Sequence, residues 1–405
     1  MTHKALSPSS NTRNTPMSTA ILGLRGSGQF DADFRPKNYR EVYSLIEPNG
    51  TAPLSALLSM TGSESTDDPE FRNFKDELPD RVLTTSATAT NSATTIAVNN
   101  TADLPFVVAG TLLANTATGE IMRVSGVSGT DITVARGIGG GAAAVASAAE
   151  IVIAGFADQE GGTSPEPVSF DPIVGSNFTQ IFKTSVSITG TLNATNLRTG
   201  DKEQEDLTKA LKMHMSDIER AFFFGKKAET NASTASPTRY TGGLLQSITG
   251  ITDASTNSVA GRLTEKEFDR ALVEDVFAFG NPEKVCFAGA GAIANLMEIG
   301  KNRWQPTSVD NAYGVSFTRY TTFAGDLLVY LHPMFRQIPS MKNEMVILDM
   351  PHLKYRHLDG RDTSLQRDIQ TADFDGKKHQ YMTECGLELS HSKVHHRIKG
   401  WTSVS

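Results

Sequence analysis

Thr199–Lys227, TGDKEQEDLTKALKMHMSDIERAFFFGKK, is the most regular stretch of the chain. Leu207, Ala210/Leu211, His214, Ile218, Ala221/Phe222 and Gly225 recur at three- and four-residue steps, the period of one helix face. Asp201 with Gln204 has the pattern of a capping box, and Glu203, Glu205 and Asp206 put negative charge on the first turn, where the helix dipole favours it. Gly225 is the expected left-handed stop, and Lys226 and Lys227 lie at the end that favours cations. At a rise of 1.5 Å per residue the helix would be about 37 Å long, well beyond the usual three or four turns. Its predicted buried face is Leu207, Leu211, His214, Ile218 and Phe222. Alternating sequence precedes it and β-rich sequence follows, so it reads as a spine on which sheets are hung.

Working outward, Asn177–Asn196 alternates strongly and predicts a long strand feeding the spine. Phe71–Val82 is its expected partner in an extended two-stranded loop, with Phe71, Phe74, Phe178, Ile181 and Phe182 as the loop's apolar residues. An isolated hairpin is marginal in water, so this loop needs a partner surface such as another subunit. Between the two strands, Leu83–Ala157 breaks into short β-branched runs (TTIAVNN, FVVAGTLLAN, GEIMRVSGVSG, DITVARG, EIVIAG) separated by Gly, Asn and Asp. That rhythm predicts a small all-β insertion, with Glu160–Pro172 as its exit linker. Residues 1–38 are low in complexity and read as an extended arm. Two short helices follow, Tyr39–Ile46 and one capped by Thr51 with Pro53 near its start.

Beyond the spine, Thr264 with Glu267 forms a second capping box and Leu263 with Phe268 a hydrophobic staple. Phe268, Leu272, Val276 and Phe279 form the expected core face of that helix, and Gly280 with Pro282 stops it. Lys284–Ala288 reads as a strand and Ala290–Gly300 as a helix; strands are then expected at Val315–Tyr320, Asp326–His332, Glu344–Leu348 and Leu353–His357. Two long alternating segments, Lys378–Cys385 and Leu387–Ile398, end the chain.

Composition narrows the function classes. The 405 residues suffice for two or three domains, and 39% apolar with 20% charged residues is an ordinary soluble balance. No apolar run approaches the roughly eighteen residues of a membrane helix, and the first residues lack the apolar core of a secretory signal. Cys286 and Cys385 are the only cysteines, too few for a disulfide framework or a zinc knuckle, and a cytosolic origin with buried thiols is expected. A formal net charge of −7 argues against a protein that grips nucleic acid over its whole surface.

The chemical motifs are weak. Gly289-Ala-Gly291-Ala-Ile-Ala294 matches the dinucleotide fingerprint, with Asp310 near the position of a ribose-binding acid. It lacks a second βαβ unit, and small residues suit any tight strand-to-helix turn. Gly137–Gly141 lacks the Lys-Ser/Thr of a phosphate loop. His391, His395 and His396 lie in a strand-like segment, His391 and His395 on one face and His396 on the other, and the default is a solvated or interface strand. His214 reads as a hydrogen-bonded core histidine. No catalytic residue, cofactor or metal is expected.

Several stretches resemble the HK97-like major capsid (major head) proteins of tailed bacteriophages: Glu47–Met60, Asp67–Pro79, Phe178–Thr191, Asp217–Lys227 and Tyr240–Ile248. Beyond those, the resemblance is one of layout. It implies an α+β fold with N-terminal arm (1–38), N-terminal helices and first extended-loop strand (39–82), all-β insertion (83–157), second loop strand with spine helix and peripheral domain (158–263), axial domain (264–368), and C-terminal strands returning to the peripheral domain (369–405). It further implies a structural subunit that forms hexamers and pentamers of an icosahedral shell around double-stranded DNA. No long helical segment precedes Tyr39, so a separate scaffolding protein is expected, with a portal and a decoration protein as further partners and assembly in the host cytoplasm. The alternatives are an encapsulin-type bacterial nanocompartment shell and, more remotely, a nucleotide-binding enzyme using Gly289–Ala294.

Overall fold

The computed structural model describes residues 52–61, 63–78, 80–99, 104–162, 164–165, 167–169, 171–195, 200–300, 307–308 and 317–404. The expected arm, the Tyr39–Ile46 helix, the Thr51 cap and Asp310 lie outside them. Within them the fold is α+β, and its buried apolar residues form three separate clusters.

The spine helix runs Lys202–Phe224, 23 residues. Asp201 caps it by accepting from the Glu203 N–H at 2.9 Å, rather than through a box with Gln204. Gly225 does end it, but with φ −55° and ψ 150° rather than in the left-handed region. Glycine is needed there for closeness: a Cβ would lie 2.4 Å from both Ala221 O and Thr241 O. Leu207, His214, Ile218 and Phe222 are buried as expected, whereas Leu211 is 37% exposed. The buried set winds around the helix, from Leu207, Ala210 and His214 in its first half to Ile218, Glu219, Phe222 and Phe223 in its second. The first half lies on one sheet, the second also reaches another through Phe223 against Phe287, and Leu211 stays at the edge of the buried arc.

The first of these sheets has the order Ser63–Thr66, Leu353–Leu358, Gly376–Leu389, Gln180–Thr189, with Ser364–Gln366 also paired to Gly376–Leu389. The expected pairing of Phe71–Val82 with Phe178–Thr191 is only partly realised. Glu70–Lys75 pairs with Ile173–Phe178 as a separate two-stranded ribbon. Gln180–Thr189 instead runs antiparallel to Gly376–Leu389, from Gln180↔Cys385 to Thr189↔Gly376. The switch occurs at Thr179, whose N–H donates to Pro69 O at 2.8 Å. Alternation continues straight through it, so sequence carries no mark of the change. Phe182 consequently turns into the core while Ile181, on the opposite face, stays 49% exposed.

The second sheet has seven strands, ordered Gly250–Asp253, His396–Lys399, Met345–Leu348, Glu283–Ala288, Asp326–Leu331, Thr318–Thr321, Thr307–Ser308. One face belongs to the spine's cluster through Val285, Phe287 and Leu328. The other packs on Phe268, Leu272, Val276, Leu296 and Trp401. The Thr264–Glu267 capping box forms as expected, and Glu265–Ala271 continues as a π-turn over Leu272–Val276. Phe279 lies beyond that turn and is half-exposed rather than part of the core face. The last two predicted strands are instead one strand of 14 residues, Gly376–Leu389, then a 3₁₀ turn at Ser392–Val394 and the short strand His396–Lys399. His395, just before this strand, and His396, its first residue, are buried, not solvated.

The insertion forms a six-stranded sheet whose end strands, Val82–Thr84 and Thr95–Ala97, are joined by the Thr85↔Val98 bridge and the Asn99 N–H to Thr84 O bond of 2.8 Å. The sheet thereby closes on itself around Leu83, Ile96, Leu113, Met122, Ile132 and Ile151, all fully buried. In the alanine-rich stretch 142–149 Val145 bridges Ala89. Arg136 and Glu120 are buried together at 2.7 Å. Arg136 also donates to Thr90 O (3.0 Å) and Ala93 O (3.1 Å), and Glu120 accepts from the Gly137 and Ala143 N–H groups at 3.1 Å each. The Arg136 hydrogen bond, first, and those backbone donors hold the Glu120 carboxyl below its usual range against the opposing effect of burial.

Candidate functional site

At the dinucleotide-like turn the helix Ala290–Gly300 follows the strand Glu283–Ala288 as predicted. Its first N–H groups are already used: Gly289 donates to Glu344 O and Gly291 to Lys342 O, both at 2.9 Å. A Cβ on Gly289 would stand 2.3 Å from the carbonyl oxygens of Met341 and Lys342. The glycines admit a crossing segment of this chain into the space a pyrophosphate would need. Among the described residues no group of three or more His, Cys, Asp or Glu side chains is placed to hold a metal ion. Burial raises both thiols, Cys385 to about 12, which keeps them protonated and unreactive at neutral pH.

What the body does contain is a set of buried polar seams. His214 Nε2 is 2.8 Å from Thr383 Oγ1, and Nδ1 is 3.0 Å from Thr184 Oγ1. Thr383 donates onward to Thr363 at 2.9 Å, so it accepts from Nε2–H, and Nδ1 accepts from Thr184. His214 thus ties the spine to two strands, and burial lowers its pKa. His379 repeats the device near the spine's start, with Nδ1 accepting from the Asp368 N–H and Nε2 on Glu203, both at 3.1 Å. At the spine's other half, Glu219 Oε1 accepts from the Leu54 N–H, and Oε2 from the Ser55 N–H, each at 2.8 Å. Ser55 Oγ donates to Oε2 at 2.7 Å and His332 Nε2 meets Oε1 at 3.0 Å. Lys284, buried in the seven-stranded sheet, donates to Val276 O, Phe279 O and Val394 O, and burial lowers it to about 8.

The two-stranded ribbon is packed most closely against the body at its inner end. Phe71 is buried over Gly386, where a Cβ would come within 2.8 Å of its ring and 2.6 Å of Phe178 O. Asn177 accepts from the Gly242 N–H (2.7 Å) and donates to Leu387 O (2.8 Å). Lys227 reaches back over the Phe178 ring, 4.9 Å from its centroid, and donates to Ser176 at 2.5 Å. Further out Asn73 donates to Leu389 O at 3.3 Å and Glu77 accepts from Lys393 at 2.6 Å, but the apolar side chains are bare among the described residues: Phe74 is 74%, Leu78 83% and Ile173 72% exposed, with Val174 half-exposed across from Phe74. Of the predicted loop residues, then, Phe71 and Phe182 are buried, Phe178 is half-buried, and Phe74 and Ile181 face outward.

Sequence reasoning placed the spine and the ribbon's first strand but missed Glu219, Asn177 and Gly386. Glu219 had a signal, a carboxylate between Ile218 and Phe222 on an apolar arc. Gly386 had one too, a glycine inside a strand pattern, which marks close backbone approach.

The profile of the SU10 major capsid protein family matches residues 14–402. The major capsid protein of Pseudomonas phage PaMx41 is 28% identical over 330 residues, covering 79% of this chain and 78% of that one. Among solved structures, the capsid of an empty GTA particle aligns over 96% of this chain and 99% of its own, at 10% identity and a TM-score of 0.46. The SrpI encapsulin of Synechococcus elongatus PCC 7942 aligns over 58% of this chain and 78% of its own, at 15% identity and a TM-score of 0.40. With the family profile spanning nearly its whole length, the chain belongs to the SU10 major capsid protein family.

Proposed function

We propose that this major capsid protein builds its shell in the HK97-like manner, as hexamers and pentamers, with the ribbon and residues 1–38 as the parts that neighbouring copies hold. The observation that carries the reading is the ribbon's bare apolar end, Phe74, Leu78 and Ile173, on an element too thin to cover it. Closed shells use such modest contacts many times over. In this reading Glu70–Lys75 and Ile173–Phe178 are the extended loop, the insertion 83–157 decorates it, 158–263 and 369–405 form the peripheral domain, and 264–368 the axial domain. The enclosed cargo is double-stranded DNA, held without sequence-specific contacts, since a net charge of −7 supplies little attraction for phosphate. A separate scaffolding protein guides assembly in the host cytoplasm, and a portal and a decoration protein complete the particle.

Electron microscopy of the purified protein tests this. Round shells or six-fold capsomers are expected, and a clean 43.6 kDa monomer at all concentrations would sink the reading. Phe74→Ser with Ile173→Ser should leave the subunit folded and abolish particles. A copurifying enzyme in place of DNA would favour a nanocompartment instead.

A further inference from the structure

Glu219 joins three parts of the chain that are far apart in sequence. Its donors Leu54 and Ser55 lie 165 and 164 residues upstream, and His332 lies 113 residues downstream, just after the strand Asp326–Leu331. Leu54 and Ser55 are the second and third residues of the helix Pro53–Thr61. First-turn N–H groups have no acceptor within their own helix, and Pro53 has no N–H to offer. A carboxylate from the spine therefore takes the place of a local cap, at the helix end whose dipole favours an anion. His332 Nδ1 accepts from the Met334 N–H at 3.2 Å, so its proton sits on Nε2 and points at Glu219. The His332 ring stacks on Phe335 with centroids 4.7 Å apart and meets Phe223 edge-on at 5.1 Å. These contacts hold the ring in place.

We propose that Glu219 is a positioning residue: it locks the helix Pro53–Thr61 in one register against the spine, and so fixes the point and direction at which the chain enters the body at Ala52 in every copy. The register is set by chemistry. Sliding the helix by one residue would bring Pro53 to the place of Leu54 and leave a buried carboxylate oxygen short of a donor, which is costly in a dry site. An apolar contact would tolerate the slip. The value of a fixed entry point rests on the reading above, in which residues 1–38 are held by neighbouring copies.

Hydrogen exchange on the unassembled full-length subunit tests the lock. In the wild type the Leu54 and Ser55 amides should exchange as slowly as those of Leu57 and Leu58, although first-turn amides are ordinarily unprotected. Glu219→Gln keeps the size but offers one acceptor oxygen and turns an NH₂ toward donors. It should speed exchange at Leu54 and Ser55 by about tenfold or more, leave Leu113 and Ile132 in the insertion unchanged, and lower the yield of regular particles. Ser55→Ala, which removes only the hydroxyl, should change exchange far less. Rapid exchange at Leu54 and Ser55 in the wild type would overturn the proposal even if the Gln variant fails to fold. So would a Gln variant with wild-type protection, or one with lost protection and wild-type particle yield. If Phe74→Ser with Ile173→Ser also assembles normally, it is the shell reading that fails, not the lock.

Discussion

The insertion and the body that carries it are held together in different ways. The insertion, from Val82 to Phe156, closes one sheet on itself around thirteen buried apolar residues, among those described, that belong to neither of the other clusters. Its buried ion pair joins residues 16 apart. The body is stitched by bonds between distant segments: Asn177 to Leu387 across 210 positions, His214 to Thr383 across 169, and Leu54 to Glu219 across 165. Locally closed contacts make a unit that can fold early and alone. Long-range ones, each costing loop closure first, make a unit that forms cooperatively or not at all. Along its outer half the ribbon has only polar ties, Asn73 to Leu389 O and Glu77 to Lys393 among the described residues, and no apolar cover.

The largest effect is expected in the core under the spine. Ile218 is buried beside Phe222, Phe223 and Leu244. Ile218→Asp would put an unpaired carboxylate there at a cost of about 4 kcal/mol or more, and soluble subunit should disappear on expression. Wild-type solubility would mean the spine's buried arc is wrongly drawn. Next comes Arg136→Met. Its side chain is 6% and that of Glu120 1% exposed, so the variant strands a buried carboxylate and costs about 3–5 kcal/mol. If the two regions are independent, calorimetry should show the insertion melting first and the body's transition unmoved. A single shifted transition would erase the distinction.

The same contrast explains what could be read from sequence. The insertion was legible because β-branched runs punctuated by Gly and Asn are local signals, and local signals suffice for a locally closed sheet. The spine was legible for the same reason, through its period and Asp201. The body's pairings were not. Gln180–Thr189 has the same alternation whether it pairs with Phe71–Val82 or with Gly376–Leu389, and only the arrival of the C-terminal strand decides. His395 and His396 looked solvated because a polar run at the chain's end gives no hint that Asp349 and Thr252 wait for them. Leu211 was misplaced because a straight 3.6-residue period cannot reveal that the spine changes neighbours halfway. Gly225 was right in identity and wrong in cause: the chain needed closeness, not a positive φ.

Acid should also separate the regions. His395 is buried, its Nδ1 accepts from the Asp349 N–H at 3.1 Å, and burial lowers its pKa to about 3, with Lys284 adding repulsion. Burial lowers His396 and His214 as well. A histidine kept neutral in the fold binds its proton more readily when unfolded. Its stabilising contribution is therefore complete above the unfolded value of about 6.5 and is lost as pH falls toward the folded one. For His395 alone, the loss between pH 7.5 and 5 is about 2 kcal/mol. Urea midpoints of the body should fall accordingly, and His395→Asn, whose oxygen can accept from Asp349, should flatten the dependence. The insertion has no histidine between Val82 and Phe156, so its unfolding should barely move over the same range. Equal acid sensitivity in both regions would contradict the seam account.

The smallest effect should come from the largest change. Removing Val82–Ala157 and joining Arg81 to Asp158 deletes a whole core, yet that core shares no buried residue with the others. The ribbon keeps its register, since Phe71 over Gly386 and Asn177 between Gly242 and Leu387 fasten it at the end away from the cut. Shortening the connection lowers loop-closure entropy slightly, in favour of the fold. The body's melting free energy should therefore stay within about 0.5 kcal/mol of its original value. A loss of several kcal/mol would show that the insertion buttresses the ribbon, and that the body's long-range bonds are not sufficient by themselves.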